Sequence, residues 1–229
     1  MTILCYHTVD EGWRSSLAVR PSTFGDHCAQ LASRRAAIDL STAATRIRPS
    51  GNLPRGQVAL TFDDGFAALF DNALPLLIRH RLPATIFLVA STLTAEGHPV
   101  DWIDNPPTPS PPTLDLEQVL EMQKEGINFG SHSYAHRDLT SLTEEECERD
   151  LRASRELLED LLRRPVPCLA YPRGLHNRMV QRAARRAGFE FAVSLSDDSF
   201  AVTDYAMPVE QIIDGAGDIG RLDRLVVIP

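Results

Sequence analysis

The feature that most constrains the fold is a set of short apolar runs that end at polar or acidic residues. Residues 84–90 form a nearly continuous apolar run, and this pattern predicts a strand that is buried on both faces. Residues 58–62 form a second such run, which stops abruptly at Asp63, Asp64 and Gly65. Strands buried on both faces are typical of parallel sheets covered by helices. The runs therefore predict an α/β protein.

Strand and helix patterns alternate along most of the chain, which favours a parallel α/β architecture. Predicted strands cover residues 3–7, 37–40, 58–62, 84–90, 127–130, 166–171 and 189–194, with a polar connection after residue 40. Predicted helices follow Arg20, Gly65, Asp115, Thr143 and Gly174, and capping-box pairs mark two of these starts, Asp115 with Gln118 and Thr143 with Glu146. An irregular (β/α) barrel of mostly parallel strands fits the strand count better than an open sheet, although periodicity alone allows both. In either fold, the functional site is expected at the carboxyl ends of the strands.

Length and charge limit the classes of function. The chain has 229 residues and a formal net charge of −8, and we expect one domain over residues 1–229 that contains a proline-rich loop at 105–112. It lacks a basic run that would suit a nucleic acid, and no apolar stretch is long enough to span a membrane. The first residues do not resemble a signal peptide, so we expect a cytoplasmic protein, with export by another route as the alternative. Oligomeric state is not predicted.

The cysteines are scattered through the chain and none forms a CxxC pair. They lie at Cys5, Cys28, Cys147 and Cys168, each within an apolar pattern. Such cysteines are usually small core residues. We therefore expect four buried thiols rather than disulfides or a zinc–thiolate site.

Two acidic residues and two histidines follow predicted strands. Adjacent residues at a strand end point to opposite sides, so Asp63 and Asp64 can have different roles. His132 and His136 are four residues apart, and we expect both on one side of a single helical turn, where they could reach one cation. With one carboxylate they would form a two-histidine, one-carboxylate metal site. Either motif alone is commonly a chance pattern or a turn, so the prediction depends on both ending parallel strands.

Three segments together resemble a known family. Thr61–Gly65, Ser131–His136 and Ala170–Gly174 are similar, in order and spacing, to the first three motifs of polysaccharide deacetylases with the NodB-homology domain, carbohydrate esterase family 4. The resemblance covers nearly the whole chain, from residue 3 to residue 213. It implies a distorted (β/α) barrel and a metal-dependent hydrolase that removes N-acetyl groups from N-acetylhexosamine units. The implied partner is an acetylated polysaccharide, oligosaccharide or glycan precursor.

The resemblance also implies roles for individual residues. It makes Asp63 the general base, and it makes Asp64, His132 and His136 the ligands of a divalent metal. The backbone N–H of Arg173 is the implied donor to the oxyanion of the tetrahedral intermediate. Two nitrogens and one oxygen suit Zn²⁺ first, and also Co²⁺, Ni²⁺ or Fe²⁺.

The third motif departs from the family pattern. Ala170 occupies the position where many relatives have an arginine that holds the catalytic aspartate. Arg173 stands where a tyrosine is usual, and its guanidinium either orients Asp63 or a sugar hydroxyl, or is simply solvated. Trp102, in the long loop before residue 113, either stacks on a sugar ring or packs against the barrel.

The general acid is the second departure. Relatives commonly place it in a Leu-x-His motif on the last strand, whereas this chain has no histidine after His176. His7, at the end of the first strand, is the first candidate and His176 is the second. Alternatively, His7 is structural or contacts substrate, and solvent replaces the acid.

Two other functions remain open. The same scaffold could hydrolyse a non-carbohydrate amide, because the chemistry recognises an amide and not a sugar. The protein could also be a catalytically silent glycan-binding protein. The presence of both aspartates and both histidines argues against the silent protein, since a degenerate site is expected to lose a ligand first.

Overall fold

The computed structural model describes residues 2–50, 56–104, 106–195 and 207–211. Its strands are β1 (Thr2–Tyr6), β2 (Thr8–Val9), β3 (Ala18–Val19), β4 (Val58–Phe62), β5 (Ala84–Leu88), β6 (Asn128–Ser131), β7 (Cys168–Ala170), β8 (Phe191–Leu195) and β9 (Met207–Gln211). Its helices are α1 (Pro21–Arg34), α2 (Leu40–Ser50), α3 (Leu74–His80), α4 (Leu116–Lys124), α5 (Glu144–Leu162) and α6 (Arg178–Ala187).

Parallel strands close into a barrel in the order β1-β4-β5-β6-β7-β8-β9, while β2 and β3 form a separate parallel pair. Closure depends on β1, which pairs with β4 on one side and with β9 on the other. The predicted (β/α) barrel is therefore confirmed. β9 was not predicted as a strand.

Most helix-start signals in the sequence lie at the N-termini of helices in the structure. Asp115 and Gln118 cap α4, and Thr143 and Glu146 cap α5, each through the reciprocal pair of hydrogen bonds that was predicted. Pro75 lies in the first turn of α3, directly after a π-helical turn at Leu69–Ala73. Because proline has no N–H to donate, it starts a new helical segment rather than continuing the old one.

The strand predicted over residues 37–40 is wrong. Ala37 forms only an isolated bridge to Val58, and α2 already begins at Leu40. The side chain of Asp39 accepts a hydrogen bond of 2.9 Å from the N–H of Thr42, which satisfies a donor in the first turn of α2. This helix occupies the segment that was predicted to be a polar connection.

Apolar side chains fill the barrel interior. One core cluster combines alternate residues of five strands with residues of α2, which places it inside the barrel; it contains Ile3, Cys5, Leu40, Ala43, Ala44, Ala59, Phe87, Cys168, Ala170, Phe191 and Val193. All four cysteines are buried and none forms a disulfide, as predicted. None of the helices in the described ranges is long and apolar enough to cross a membrane.

Candidate active site

The pairing of β1 with β4 brings His7 next to Asp63. Their register aligns Cys5 with Thr61 and Tyr6 with Phe62, and the N–H of Asp63 continues the ladder by donating to the carbonyl of Tyr6 at 2.9 Å. Because side chains alternate along a strand, His7 follows the inward direction of Cys5. Both His7 and Asp63 line a cavity at the carboxyl ends of the strands.

A tight turn after β4 directs Asp64 into the same cavity. Asp64 and Gly65 have φ values of 68° and 67°, so the extended backbone ends before them. Because β4 ends at Phe62, the two carboxylates lie in the turn after the strand, where they line one cavity but have different neighbours. The turn packs closely on β5: a Cβ atom on Gly65 would lie 2.7 Å from a methyl group of Leu88.

The two histidines lie in a turn after β6, not in the predicted helical turn. Ser133 and His136 both have left-handed backbone conformations, with φ values of 67° and 52°. The hydroxyl of Ser131 accepts a hydrogen bond from the N–H of Ser133, and the hydroxyl of Ser133 accepts one from the N–H of His136. These bonds bend the chain back, so that both imidazoles face Asp64.

The ligand atoms of Asp64, His132 and His136 fit a metal ion. Asp64 Oδ1 lies 3.6 Å from Nε2 of His132 and 3.5 Å from Nε2 of His136. All three residues are buried, and their ligand atoms lie within 4.8 Å of one another. Nδ1 of His132 donates to the carbonyl of Ala170 at 2.9 Å, which leaves the lone pair of its Nε2 for a metal. The chain therefore has an Asp-His-His group that could bind a divalent cation.

Burial also keeps His136 neutral, as a metal ligand must be. Desolvation lowers the pKa of His136 to about 2, and the positive charges of His132 and Arg173 act in the same direction. Burial raises the pKa of Asp64, whereas positive charge on His7 and His132 lowers it.

Trp102 packs directly over the candidate metal ligands. Its indole N–H donates to Asp64 Oδ1 at 3.0 Å, and its ring stacks on the imidazole of His136 with centroids 5.0 Å apart. Trp102 is 8% exposed, which favours the packing alternative over stacking on a sugar. The sequence placed Trp102 in a loop but contained no signal for its contact with Asp64.

Arg173 connects this loop to the third motif. Its guanidinium donates to the carbonyl of Trp102 at 2.9 Å and lies 3.6 Å from the carboxylate of Asp104. Arg173 lines the cavity, but its described contacts are with the loop and not with Asp63. Its φ of 57° gives the backbone a sharp turn immediately after β7.

The structure separates the two candidate acids. His7 lines the same cavity as Asp63, and its Nδ1 is buried with no hydrogen-bond partner among the described residues. His176 instead packs on the ring of Tyr171, with centroids 5.0 Å apart, and its Nδ1 is 3.1 Å from the side-chain amide of Gln181. His176 is not among the residues that line the cavity.

The cavity has a volume of about 270 Å³, and a second, larger cavity of about 700 Å³ lies next to it. Trp102, His136 and Arg173 line both cavities, so these residues form the boundary between them. Leu175, which is 44% exposed, lies in the wall of the larger cavity. His7, Asp63, Asp64 and His132 line only the smaller of the two cavities.

Asp63 has one further neighbour that the sequence did not indicate as functional. Oδ2 of Asp63 lies 3.3 Å from the thiol of Cys5, while its Oδ1 is buried without a partner in the described part of the chain. Cys5 was interpreted only as a core residue. Cys5 lies two residues before His7, so strand alternation predicts that both side chains point to the same side, and this was the available sign that Cys5 lies near the site.

Comparisons with known proteins identify relatives of the chain. The family model described as polysaccharide deacetylase matches residues 50–192, which is more than half of the chain. The protein YxkH of Bacillus subtilis is 26% identical over 195 residues, covering 85% of this chain and 64% of YxkH. The poly-beta-1,6-N-acetyl-D-glucosamine N-deacetylase of Staphylococcus aureus is 25% identical over 181 residues, covering 74% of this chain and 59% of that enzyme. The chain therefore spans less than two thirds of the length of these relatives.

A solved structure supports the fold. The Streptococcus pyogenes deacetylase PplD, solved in complex with acetate, superimposes with a TM-score of 0.77 and 22% identity, over 93% of this chain and 92% of that one. At this level of identity the likeness concerns the fold, and it confirms the barrel expected from the sequence.

Proposed function

The chain belongs to the polysaccharide deacetylase family, and we propose that it is a metal-dependent N-deacetylase acting on N-acetylhexosamine units of a polysaccharide, oligosaccharide or glycan precursor. The observation that carries this proposal is the meeting of a candidate metal group, Asp64, His132 and His136, with Asp63 and His7 in one cavity. That set combines a cation site with a carboxylate and an imidazole that are outside it. Metal-assisted hydrolysis of an amide uses all three functions.

Asp64, His132 and His136 would hold the metal, and Zn²⁺ is the ion we expect first, with Co²⁺, Ni²⁺ and Fe²⁺ as alternatives. When bound, a divalent metal polarises an acetyl carbonyl and makes water a stronger acid. The chain's own contribution is orientation. The carbonyl of Ala170 fixes His132, and Trp102 fixes Asp64.

Asp63 is the proposed general base. Asp63 lines the cavity, and its Oδ1 accepts no hydrogen bond from the described residues, so in this proposal the carboxylate takes a proton from the water that attacks the acetyl carbon. Attack forms a tetrahedral oxyanion, to which the backbone N–H of Arg173 donates a hydrogen bond in this proposal. The C–N bond then breaks, and acetate and a sugar amine are the products.

His7 is the proposed general acid. It lies beside Asp63 through the β1–β4 register, and the ligand atoms of these two residues and Cys5 are within 4.8 Å of one another. An imidazolium at this position can protonate the leaving nitrogen as the C–N bond breaks. His176 lies outside the cavity, which makes it the weaker candidate.

The second cavity supports a substrate larger than one sugar. It shares Trp102, His136 and Arg173 with the smaller cavity, so in this proposal it takes the units next to the acetylated sugar. We therefore expect deacetylation of N-acetylglucosamine oligomers to exceed that of the free monosaccharide.

Acetate release tests the proposal. The protein, loaded with Zn²⁺ or Co²⁺, is incubated with N-acetylglucosamine oligomers, and acetate is measured for wild type, Asp63→Asn, His7→Ala and His176→Ala. We expect the rate of acetate release to fall about 10²-fold or more in Asp63→Asn and in His7→Ala, since general acid–base catalysis typically contributes that much. His176→Ala should stay near wild type. Equal rates for wild type and Asp63→Asn would show that Asp63 is not the general base. Acetate release only from non-carbohydrate acetamides would show that the substrate is not a glycan.

A further inference from the structure

The thiol of Cys5 is in contact with the carboxylate proposed as the base. Its Sγ lies 3.3 Å from Asp63 Oδ2, within the distance for a hydrogen bond that involves sulfur. Cys5 is completely buried and Asp63 is 8% exposed, so water has little access to this contact. The barrel imposes the pairing, because Cys5 is aligned with Thr61 and its side chain points inward, below Asp63.

The two oxygens of Asp63 have different surroundings. Oδ2 faces the thiol, whereas Oδ1 is buried with no partner among the described residues, in a carboxylate that lines the cavity. A carboxylate that is held through one oxygen cannot rotate freely about its last bond. The free oxygen is therefore kept at a fixed position relative to the cavity.

We propose that Cys5 is a positioning residue, whose S–H donates to Asp63 Oδ2 and thereby fixes the orientation in which the carboxylate acts as base. This inference rests on the proposed function, in which Asp63 is the general base. It gives Cys5 a role in the reaction without contact with the substrate. The other buried cysteine of the same interior cluster is Cys168, which contacts no carboxylate among the residues that the structure describes and stays a packing residue.

Chemistry at this position favours the thiol form of Cys5. Burial raises the pKa of Cys5 well above its ordinary value, and the negative charge of Asp63 raises it further. The thiol consequently keeps its proton and can act as a donor. A second metal site at Cys5, His7 and Asp63 would need the thiolate, which the same surroundings disfavour.

A neutral donor differs from a cation in one important respect. It orients the carboxylate by a hydrogen bond and adds no positive charge that would stabilise the ionised form and weaken the base. Ala170, on the facing strand β7, has no donor to offer and packs in the same interior cluster as Cys5. Among the described residues, the recorded side-chain partner of the Asp63 carboxylate is Cys5.

The Cys5 S–H has a second possible acceptor besides Asp63. Sγ of Cys5 also lies 3.6 Å from the carbonyl oxygen of its neighbour Tyr6, and one S–H can point to only one of the two. The S–H stretching band in the infrared spectrum separates them. We assign the Cys5 band by its loss in Cys5→Ser, and the Cys168 band by its loss in Cys168→Ser.

The expected spectrum has the Cys5 band at lower frequency than the Cys168 band, because a hydrogen bond to a carboxylate weakens the S–H bond. In Asp63→Ala, the Cys5 band should move to higher frequency while the Cys168 band stays in place. If the frequency of the Cys5 band is unchanged in Asp63→Ala, the thiol points to the carbonyl of Tyr6, and the proposal is overturned.

Kinetics then test the consequence for the base. Cys5→Ala should lower kcat roughly 5- to 10-fold, the loss expected for one hydrogen bond of ordinary strength from a weak donor, with KM and metal affinity nearly unchanged. Cys5→Ser keeps a donor and should recover most of the rate. Cys168→Ala and Cys168→Ser are the matched controls for packing damage in the same cluster.

The two levels of the proposal fail in different ways. If Cys5→Ala and Cys168→Ala lower kcat equally, or if Cys5→Ser is no better than Cys5→Ala, the thiol has no positioning role. If wild-type protein releases no acetate from any acetylated glycan, the proposed function is overturned instead. An Asp63-dependent band would in that case still establish the Cys5–Asp63 hydrogen bond.

Discussion

Trp102 donates its indole N–H to the oxygen of Asp64 that faces both histidines, at 3.0 Å. Oδ1 of Asp64 is thus shared between the tryptophan and the space between His132 and His136. A donor on a metal-binding carboxylate fixes its orientation, and loss of such outer partners typically weakens metal binding 10- to 100-fold. The tryptophan ring also excludes water by stacking on His136.

Trp102→Phe should therefore weaken binding of Zn²⁺ or Co²⁺ about 10- to 100-fold, because phenylalanine keeps an aromatic ring over His136 but loses the N–H. The measurement is competition with a chromophoric chelator. Trp13→Phe is the control, since Trp13 packs on Phe66 and does not line the cavity. Unchanged affinity in Trp102→Phe would mean that the hydrogen bond does not hold Asp64 for the metal.

The turn at Gly65 should be sensitive to any side chain. Gly65 and Gly97 have nearly equal φ values, 67° and 66°, but a Cβ on Gly97 would meet nothing within 4 Å, whereas one on Gly65 would lie 2.7 Å from Leu88. Gly97→Ala should lower the free energy of unfolding by about 1 to 2 kcal/mol, from backbone strain alone. Gly65→Ala should cost about 1 kcal/mol more, because the buried Leu88 methyl group must shift to make room. Urea denaturation of both variants measures the difference, and equal losses would contradict the packing argument.

Arg173 should hold the loop that carries Trp102. Its guanidinium donates to the carbonyl of Trp102, and loss of one such bond from Arg173→Ala should speed amide hydrogen exchange at residues 98–104 roughly 5-fold. Arg182→Ala is the control, because Arg182 is an exposed residue of α6 that pairs with Glu144. Exchange in the loop that is equal in both variants would show that Arg173 does not restrain it.

The buried thiols should resist modification. Burial raises the pKa values of Cys28, Cys147 and Cys168 from 9.0 to about 12, so the reactive thiolate is scarce in the folded protein at pH 8. Reaction with a disulfide reagent should be slow in native protein and should reach four thiols after unfolding in urea. Fast reaction of any thiol in the native state would contradict the burial.

The same shifts set the direction of a pH effect on stability. Above pH 9, the unfolded chain loses thiol protons that the folded chain keeps up to about pH 12. The unfolded state then binds fewer protons, so the free energy of unfolding should fall as pH rises through this window. The fall should be smaller in Cys28→Ala than in the wild type, and urea titrations at pH 8 and pH 10 measure it.

Local patterns in the sequence predicted much of this structure. The apolar runs of β4 and β5 and the two capping boxes depend on neighbouring residues, which is why they were found correctly. The meeting of Asp64, His132 and His136 was also predicted, since carboxyl ends of parallel strands share one end of a barrel. The predicted helical turn at the histidines failed, because the hydroxyls of Ser131 and Ser133 bend the chain through positive φ values instead.

Other features depended on contacts between distant segments. Trp102 and Asp64 are 38 residues apart in the sequence, and Cys5 and Asp63 are 58 residues apart, so no local sequence pattern predicts either contact. Arg173 was considered for a contact with Asp63, but its guanidinium lies with the loop of Trp102 and Asp104. These contacts result from barrel register and loop packing, which periodicity does not contain.

Asp63 and Asp64 are chemically identical neighbours, yet one faces a thiol and the other faces two imidazoles and an indole. The backbone assigns these surroundings, because β4 ends at Phe62 and the following turn gives Asp64 a φ of 68°. Because both residues are aspartate, their different proposed roles come from their positions in the fold and not from residue identity. A designer who grafted an Asp-Asp pair onto another barrel would therefore have to transfer the turn, including Gly65, before either carboxylate could take up its task.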